Sequence, residues 1–318
     1  MRRYPQKQNP AGRGFTLVEV MVVVVIIGML AAILVPVLGG IIRRTNEAAV
    51  KVEINSMGNA IADFKAKYGS DPPDHVHLFE NAAGWAAHPE DRGKINRIWP
   101  RFRFDLARDI NVDNDTADEF HLSGAECLVF FLGGMANRDA NGKFFMTGFS
   151  KNPANPLQRV SSANIDESRD GPFFEFNPNR LVDVEVEPGP DGFPEFIDTL
   201  ANQTAPYLYL SSNGGRGYDI EGGWVFHHHV GLDPGNGIWN RNLPYRQSAN
   251  GPRWNAKSFQ IISPGMGPHE RLLPNGTMTN EFCPYGTSEV YDPENVDLLS
   301  GNDADNITNF SAGGRMRP

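Results

Sequence analysis

Apolar residues near the start of the chain follow two different patterns. From Val20 to Ile42, 23 consecutive residues carry no charged or strongly polar side chain. A helix needs roughly 20 residues to cross a hydrocarbon core about 30 Å thick. The run is therefore long enough to predict a membrane-spanning helix.

The second pattern is an apolar stripe that follows Arg43 and Arg44. Its members recur at alternating intervals of four and three positions, which is the repeat of one helical face. They are Val50, Ile54, Met57, Ile61, Phe64 and Tyr68. Gly69 and Pro72-Pro73 indicate the end of this helix.

Together the two patterns predict one helix from about Thr16 to Tyr68, about 80 Å long at 1.5 Å per residue. Pro36 and Gly39-Gly40 are the places where it is expected to bend or unwind locally. Because one face of its second half is apolar, that half is expected to pack on a sheet.

Beyond Gly69, short apolar runs alternate with Gly, Pro and Asn clusters, which is typical of meandering antiparallel sheets. The run Glu126–Gly133 fits either a helix or a strand, with a helix slightly favoured. The polar stretch Ser150–Asp170 predicts a surface loop. The candidate strands are Phe173–Phe176, Leu181–Val186, Tyr207–Leu210, Gly223–His228 and Phe259–Ile262. The fold class predicted is α+β, a long N-terminal helix on an antiparallel sheet with long loops.

Charge narrows the choice of function. The chain has a net charge of -9 and no basic run outside its extreme N-terminus, which argues against nucleic acid as a partner. Basic residues precede the apolar run and acids follow it. This asymmetry predicts a cytoplasmic N-terminus and an extracytoplasmic C-terminal part.

Glu19 sets the apolar run apart from a simpler targeting segment. A cleaved secretory signal has an apolar region of roughly 7–15 residues, which is shorter than this one. A plain single-pass anchor fits the length but leaves unexplained an acid at the edge of the run. A carboxylate within a membrane costs about 2.5–3.5 kcal/mol at the helix centre, so it normally has a partner.

The string Arg13-Gly14-Phe15-Thr16-Leu17-Val18-Glu19 leads directly into the apolar run. This arrangement resembles the N-terminus of prepilins, the precursors of type IV pilins and type II secretion pseudopilins. The resemblance implies that prepilin peptidase cuts between Gly14 and Phe15 and that Phe15 is N-methylated. It also implies that Glu19 neutralises the N-terminal amine of a neighbouring subunit, since pairing two buried charges removes much of the cost of each.

The implied organisation has four parts. Residues 1–14 are a leader, 15–42 a transmembrane and assembly helix, 43–69 an amphipathic helix, and 70–318 an extracytoplasmic α+β domain. Such a chain spans the inner membrane once and polymerises with copies of itself and other pseudopilins on an inner-membrane secretion platform.

Three roles stay open at this stage. The leading hypothesis is a type II secretion pseudopilin, a structural subunit that supports protein export. A type IV pilus subunit is the close alternative. The third is an extracytoplasmic binding protein that uses a prepilin-type anchor.

A second resemblance suggests a calcium site, with a C-terminal loop rich in Asx turns and without metal as the alternative. The stretch Phe259–Gly267 is similar to the entry of the calcium loop of major pseudopilins, although Gly267 stands where an Asp is expected. Asp303 and Asp305 lie in the matching closing element and are the candidate Ca²⁺ ligands.

Other residues are of types that can bind metals or take part in catalysis, but each has a simpler structural interpretation. His227 and His229 share a strand face and could ligate a metal together, but no HExxH or CxxC pattern completes the set. The alternating acids Asp183, Glu185 and Glu187 predict a solvated strand face. Cys127 and Cys283 fit one disulfide or two separate thiols. With no nucleophile or nucleotide motif, the sequence predicts that the chain is not an enzyme.

Overall fold

The computed structural model describes most of the chain. The described residues are 16–111, 113–161, 167–183, 191–200, 205–218, 244–248, 250–265, 271–272, 278–279, 291, 306–311 and 315–316, without the side chains of 34–40. The chain divides into two compact units, Met1–Thr45 and Asn46–Pro318. Each unit is described by itself below.

Helix α1 runs from Leu17 to Tyr68, 52 residues without interruption. The predicted end is confirmed, because Gly69 follows with a left-handed φ of 76° that only glycine adopts without strain. The helix continues through Pro36, so the local unwinding expected there does not occur. No helix within the described part of the chain has the length and apolarity that a membrane crossing requires.

The apolar stripe of α1 is buried as its spacing predicts. Val50, Ile54 and Phe64 have no solvent exposure, and Tyr68 packs at the margin of the same cluster. This core also takes residues from every larger element of the second unit. The sequence therefore located both the helix and its buried face.

The elements that follow α1 are short. They are β1 Val76–Phe79, α2 Ala82–Ala87, α3 Pro89–Ile98, β2 Glu119–Leu122, α4 Gly124–Gly133, β3 Ala136–Arg138, β4 Phe144–Met146, β5 Phe149–Ser150, β6 Arg169–Asp170, a 3₁₀ turn Pro178–Arg180, β7 Leu181–Val182, β8 Glu195–Phe196, β9 Leu208–Ser211, β10 Phe259–Ser263, β11 Arg271–Leu272, β12 Met278–Thr279 and β13 Ile307–Thr308. This mixture of helices and strands confirms the α+β class.

The strands form several small antiparallel sheets within the described residues. The largest has three strands in the order β13-β10-β9, and the other sheets pair two strands each. Its side chains alternate between two cores, since Tyr209 and Ile261 enter the main cluster while Leu208, Leu210 and Ile262 enter a smaller one. This sheet is therefore covered on both faces.

Several predicted elements have definite outcomes. The run Glu126–Gly133 lies in helix α4, and β9 and β10 occupy the predicted strands near 207–210 and 259–262. Phe173–Phe176 is not a strand. It is an irregular segment whose phenylalanine rings pack in or against the main core. The candidate at Gly223–His228 lies outside the described residues.

Helix α4 is held by a capping box at its start. The Ser123 hydroxyl accepts the Glu126 N–H at 3.4 Å, and the Glu126 carboxylate accepts the Ser123 N–H at 2.6 Å. Gly124 is required by close approach, since a Cβ there would lie 2.2 Å from the Tyr209 carbonyl oxygen. The helix is buried throughout, which explains its apolar sequence.

A charged clamp ties α1 to the surrounding loops. The guanidinium of Arg180 donates two hydrogen bonds to the Glu53 carboxylate, at 2.7 and 2.6 Å, and the Tyr207 hydroxyl donates to the same group at 2.5 Å. The Arg180 guanidinium also lies 4.1 Å from the centre of the Phe196 ring. Bidentate geometry of this kind fixes orientation as well as charge.

We expect Ile54→Ala to lower the free energy of unfolding by about 2–5 kcal/mol, because it removes a fully buried side chain and leaves a cavity. Val52→Ala is the matched control, since Val52 is 64% exposed on the same helix. Denaturant titration of the full chain, followed by tryptophan fluorescence, measures both. Equal losses for the two variants would contradict the assignment of the buried face.

Candidate assembly segment

Helix α1 begins with a capping box made by Thr16 and Glu19. The Thr16 N–H and hydroxyl both donate to Glu19 Oε2, each at 2.8 Å, and the Thr16 hydroxyl accepts the Glu19 N–H at 3.2 Å. These bonds satisfy backbone donors that have no partner at a helix start. Glu19 therefore already has a structural role within a single chain.

Both predicted processing residues, Gly14 and Phe15, lie outside the described residues. Cleavage between them, methylation of Phe15 and the pairing of Glu19 with a neighbouring subunit stay predictions. The described start of the chain places Glu19 in the first turn of α1, three residues after Thr16.

The first turns of α1 present apolar side chains to solvent. Thirteen large apolar residues between Leu17 and Ile33 are exposed, from 48% for Val23 to 76% for Leu17. Burying one such side chain contributes about 1.5–3 kcal/mol. Because these side chains are already partly shielded, burying all of them contributes on the order of 10–20 kcal/mol, comparable with the net stability of a typical domain, so this surface calls for a cover of lipid or protein.

Comparison with known proteins assigns this segment. Residues 11–35 match the family described as the prokaryotic N-terminal methylation motif. The chain carries a prepilin-type N-terminus. Over 84 residues it is 34% identical to the type IV major pilin protein PilA of Myxococcus xanthus (strain DK1622), a match that covers 26% of this chain and 36% of that protein. The chain thus spans about a third of that relative's length. No solved structure matches this chain.

Among the described residues of the second unit, two side-chain groups could hold a metal ion. The first contains His77, Glu119 and His121, and the second contains Glu80, Asp115 and Asp118. The candidate calcium ligands Asp303 and Asp305, and the histidines His227 to His229, lie outside the described residues. The structure therefore tests neither the suggested calcium site nor the histidine run, and the two groups found were not predicted from the sequence.

The Glu80 carboxylate is used by the backbone around it. It is fully buried, accepts the Ile110 N–H at 2.5 Å and accepts the Asp118 N–H at 3.3 Å. Burial raises the pKa of Glu80, although these two backbone hydrogen bonds act in the opposite direction. The Glu80 carboxylate thereby holds two points of the loop between α3 and β2 next to the end of β1.

Asp183 departs from the prediction of a solvated acidic face. Its side chain is 2% exposed, and its carboxylate lies 3.2 Å from Arg138 Nη2 and accepts the Gly192 N–H at 3.1 Å. Burial raises its pKa. Glu185 and Glu187 lie outside the described residues, so the predicted face is wrong at the one position that can be seen.

Cys127 is a buried free cysteine in α4, and burial raises the pKa of its thiol. Its Sγ donates to the Leu122 carbonyl at 3.7 Å. The other cysteine, Cys283, lies outside the described residues. Cys127 thus behaves as a small core residue.

Sequence reasoning had the signal for the Thr16–Glu19 capping box and did not use it. A Thr followed three positions later by Glu, directly before an apolar run, is the signature of that motif. The resemblance to prepilins gives this carboxylate a partner only in a neighbouring subunit, so it does not reveal the bonds within the chain.

We expect Thr16→Ala to destabilise the first turn of α1 by about 1 kcal/mol, because the helix loses its N-cap oxygen. Hydrogen exchange of the Glu19 amide in the full chain should accelerate about five-fold, since exchange follows the local opening equilibrium. Thr45→Ala is the control, because the Thr45 hydroxyl only donates to the Ile41 carbonyl within the helix. An unchanged Glu19 amide would contradict the cap.

Proposed function

We propose that this chain is a structural, non-enzymatic subunit of a pilus-like filament, processed between Gly14 and Phe15 and polymerised through α1. The observation that carries the proposal is the exposed apolar surface of Leu17–Ile33 within a methylation motif that covers residues 11–35. A filament covers that surface with copies of the same helix.

Before assembly, the segment 15–42 is held in the inner membrane with the N-terminus in the cytoplasm. The uncharged run Val20–Ile42 supports this step, and it includes residues 34–40, whose side chains the structure does not describe. Prepilin peptidase then acts at the leader, and an inner-membrane assembly platform receives the mature chain.

Glu19 acts twice in this proposal. In the single chain its Oε2 accepts two hydrogen bonds from Thr16. A carboxylate offers about four acceptor positions, so Glu19 can also receive the N-terminal ammonium of the next subunit. Removing two charges from water together costs less than removing either alone.

Two filament types fit this subunit, each on its own observation. Similarity of Phe259–Gly267 to the calcium-loop entry of major pseudopilins supports a type II secretion pseudopilus. Similarity to a type IV major pilin supports a type IV pilus. Deletion of the gene separates them, because the first predicts loss of exported proteins from the medium and the second predicts loss of surface pili.

An anchored binding protein finds less support. A cleft of about 410 Å³ has Arg138, Lys143, Asn179 and Asp183 in its lining. Arg138 bonds Asp183 at 3.2 Å and Lys143 donates to Asn179 at 2.6 Å, so these polar groups are used by one another. The arrangement resembles a structural polar cluster more than a ligand site.

Mass spectrometry of the mature N-terminus tests the processing step. The proposal predicts a chain that begins at N-methyl-Phe15. Gly14→Leu should leave the precursor uncut, because the peptidase then meets a branched side chain at the cleavage position. A mature protein that begins at Met1 contradicts the proposal.

Filament assembly tests the role of Glu19. We expect Glu19→Ala to abolish filaments seen by electron microscopy, because each interface would then bury an unpaired ammonium. Asp63→Ala is the matched control, since Asp63 is another exposed acid of α1. If filaments survive Glu19→Ala, the pairing is wrong even where the processing result stands.

A further inference from the structure

We propose that His77, Glu119 and His121, which share one face of the β1–β2 sheet, are the ligands of a Zn²⁺ site. This inference does not depend on the proposed function, because it concerns a separate sheet in the second unit.

Strand register brings the three side chains together. His77 is the direct cross-strand partner of His121, and Phe79 is the partner of Glu119. Side chains of residues two apart along a strand share a face, so Glu119 and His121 project on the same side as His77. Phe120 and Leu122 point the other way into the core and anchor β2.

The donor atoms are close enough to share one ion. His121 Nε2 lies 3.1 Å from Glu119 Oε1, His77 Nδ1 lies 3.8 Å from the same oxygen, and the group as a whole fits within 4.8 Å. Zinc bonds of about 2.0–2.2 Å place tetrahedral ligand atoms about 3.3 Å apart. The required contraction is small at Glu119 and His121, whose side chains are each 42% exposed.

The two imidazoles stack on each other, with ring centres 4.0 Å apart and planes inclined by 29°. A shared ion requires them to splay, and rotation about the broad terminal torsion of the exposed His121 provides that movement. Backbone pairing of β1 with β2 need not change.

A carboxylate with a lysine partner borders the three ligands. Asp91 Oδ2 lies 3.7 Å from His77 Nδ1. Lys94 Nζ lies 3.3 Å from the other oxygen of the same carboxylate, Asp91 Oδ1. The ring centre of His88, the N-cap residue of α3, lies 5.7 Å from that of His77, so a third imidazole borders the group.

The donor set suits a transition metal, of which Zn²⁺ is the one proposed here. Two imidazoles and one carboxylate favour Zn²⁺ over Ca²⁺ or Mg²⁺, which prefer oxygen ligands throughout. Three protein ligands leave the fourth tetrahedral position to water or to a group of a partner. The second metal-capable group, with only carboxylates, does not share this selectivity.

The test is metal titration of the full chain in detergent. The protein is purified with a tag that contains no histidine, so that the tag does not bind the metal. Because His227, His228 and His229 can also bind metal, the reference protein has all three replaced by Asn. Calorimetry with Zn²⁺ and the visible spectrum with Co²⁺ report affinity, stoichiometry and ligand geometry.

We expect the reference protein to bind one equivalent of Zn²⁺ and to give a tetrahedral Co²⁺ spectrum. Adding His77→Asn with His121→Asn should weaken binding at least 100-fold, and adding Glu119→Gln about 10-fold. Circular dichroism checks that the double variant is folded, and the exposed Glu119→Gln decides the question if it is not. An absence of binding in the reference protein, or binding unchanged by Glu119→Gln and the double substitution, would overturn the site.

Discussion

Burial of the α1 stripe is the interaction on which the rest of the second unit depends. Val50, Ile54 and Phe64 have no contact with solvent, and the other core elements pack against the same cluster. Polar bonds fix the helix around this stripe. Glu53 receives the Arg180 guanidinium, while Lys51 donates to the Thr308 and Ser311 carbonyls. The helix thereby holds both a middle loop and the end of the chain.

The first half of the same helix poses the opposite problem. Its apolar side chains from Leu17 to Ile33 are exposed, and the free energy of burying them is comparable with a domain's usual net stability. A surface of this kind calls for a cover of lipid or protein. The Thr16–Glu19 cap gives this half a defined start, so the carboxylate stands at a fixed position for any neighbour.

Sequence reasoning succeeded where structure is local. The 3.6-residue repeat defines α1 and its buried stripe, and Gly69 marks its end. It failed where contacts join distant segments. Strands of two residues carry little periodicity, so β5, β6 and β8 were not predicted, whereas β7 lies at the start of the predicted strand Leu181–Val186. The strand predicted at Phe173–Phe176 is wrong, because that apolar run packs its rings in the core without pairing to another strand. Asp183 is covered by Arg138, and His77 meets His121 only through β1–β2 register, with α2 and α3 lying between the two strands in the chain.

Electron cryomicroscopy of filaments assembled from the mature chain tests the central claim most directly. The account predicts a core in which residues 17–33 of each α1 are covered by the helices of neighbouring copies. It also predicts the Glu19 carboxylate within hydrogen-bond distance of the next subunit's N-terminal amine. A filament joined only through the second units, with the α1 surface still exposed, would contradict it.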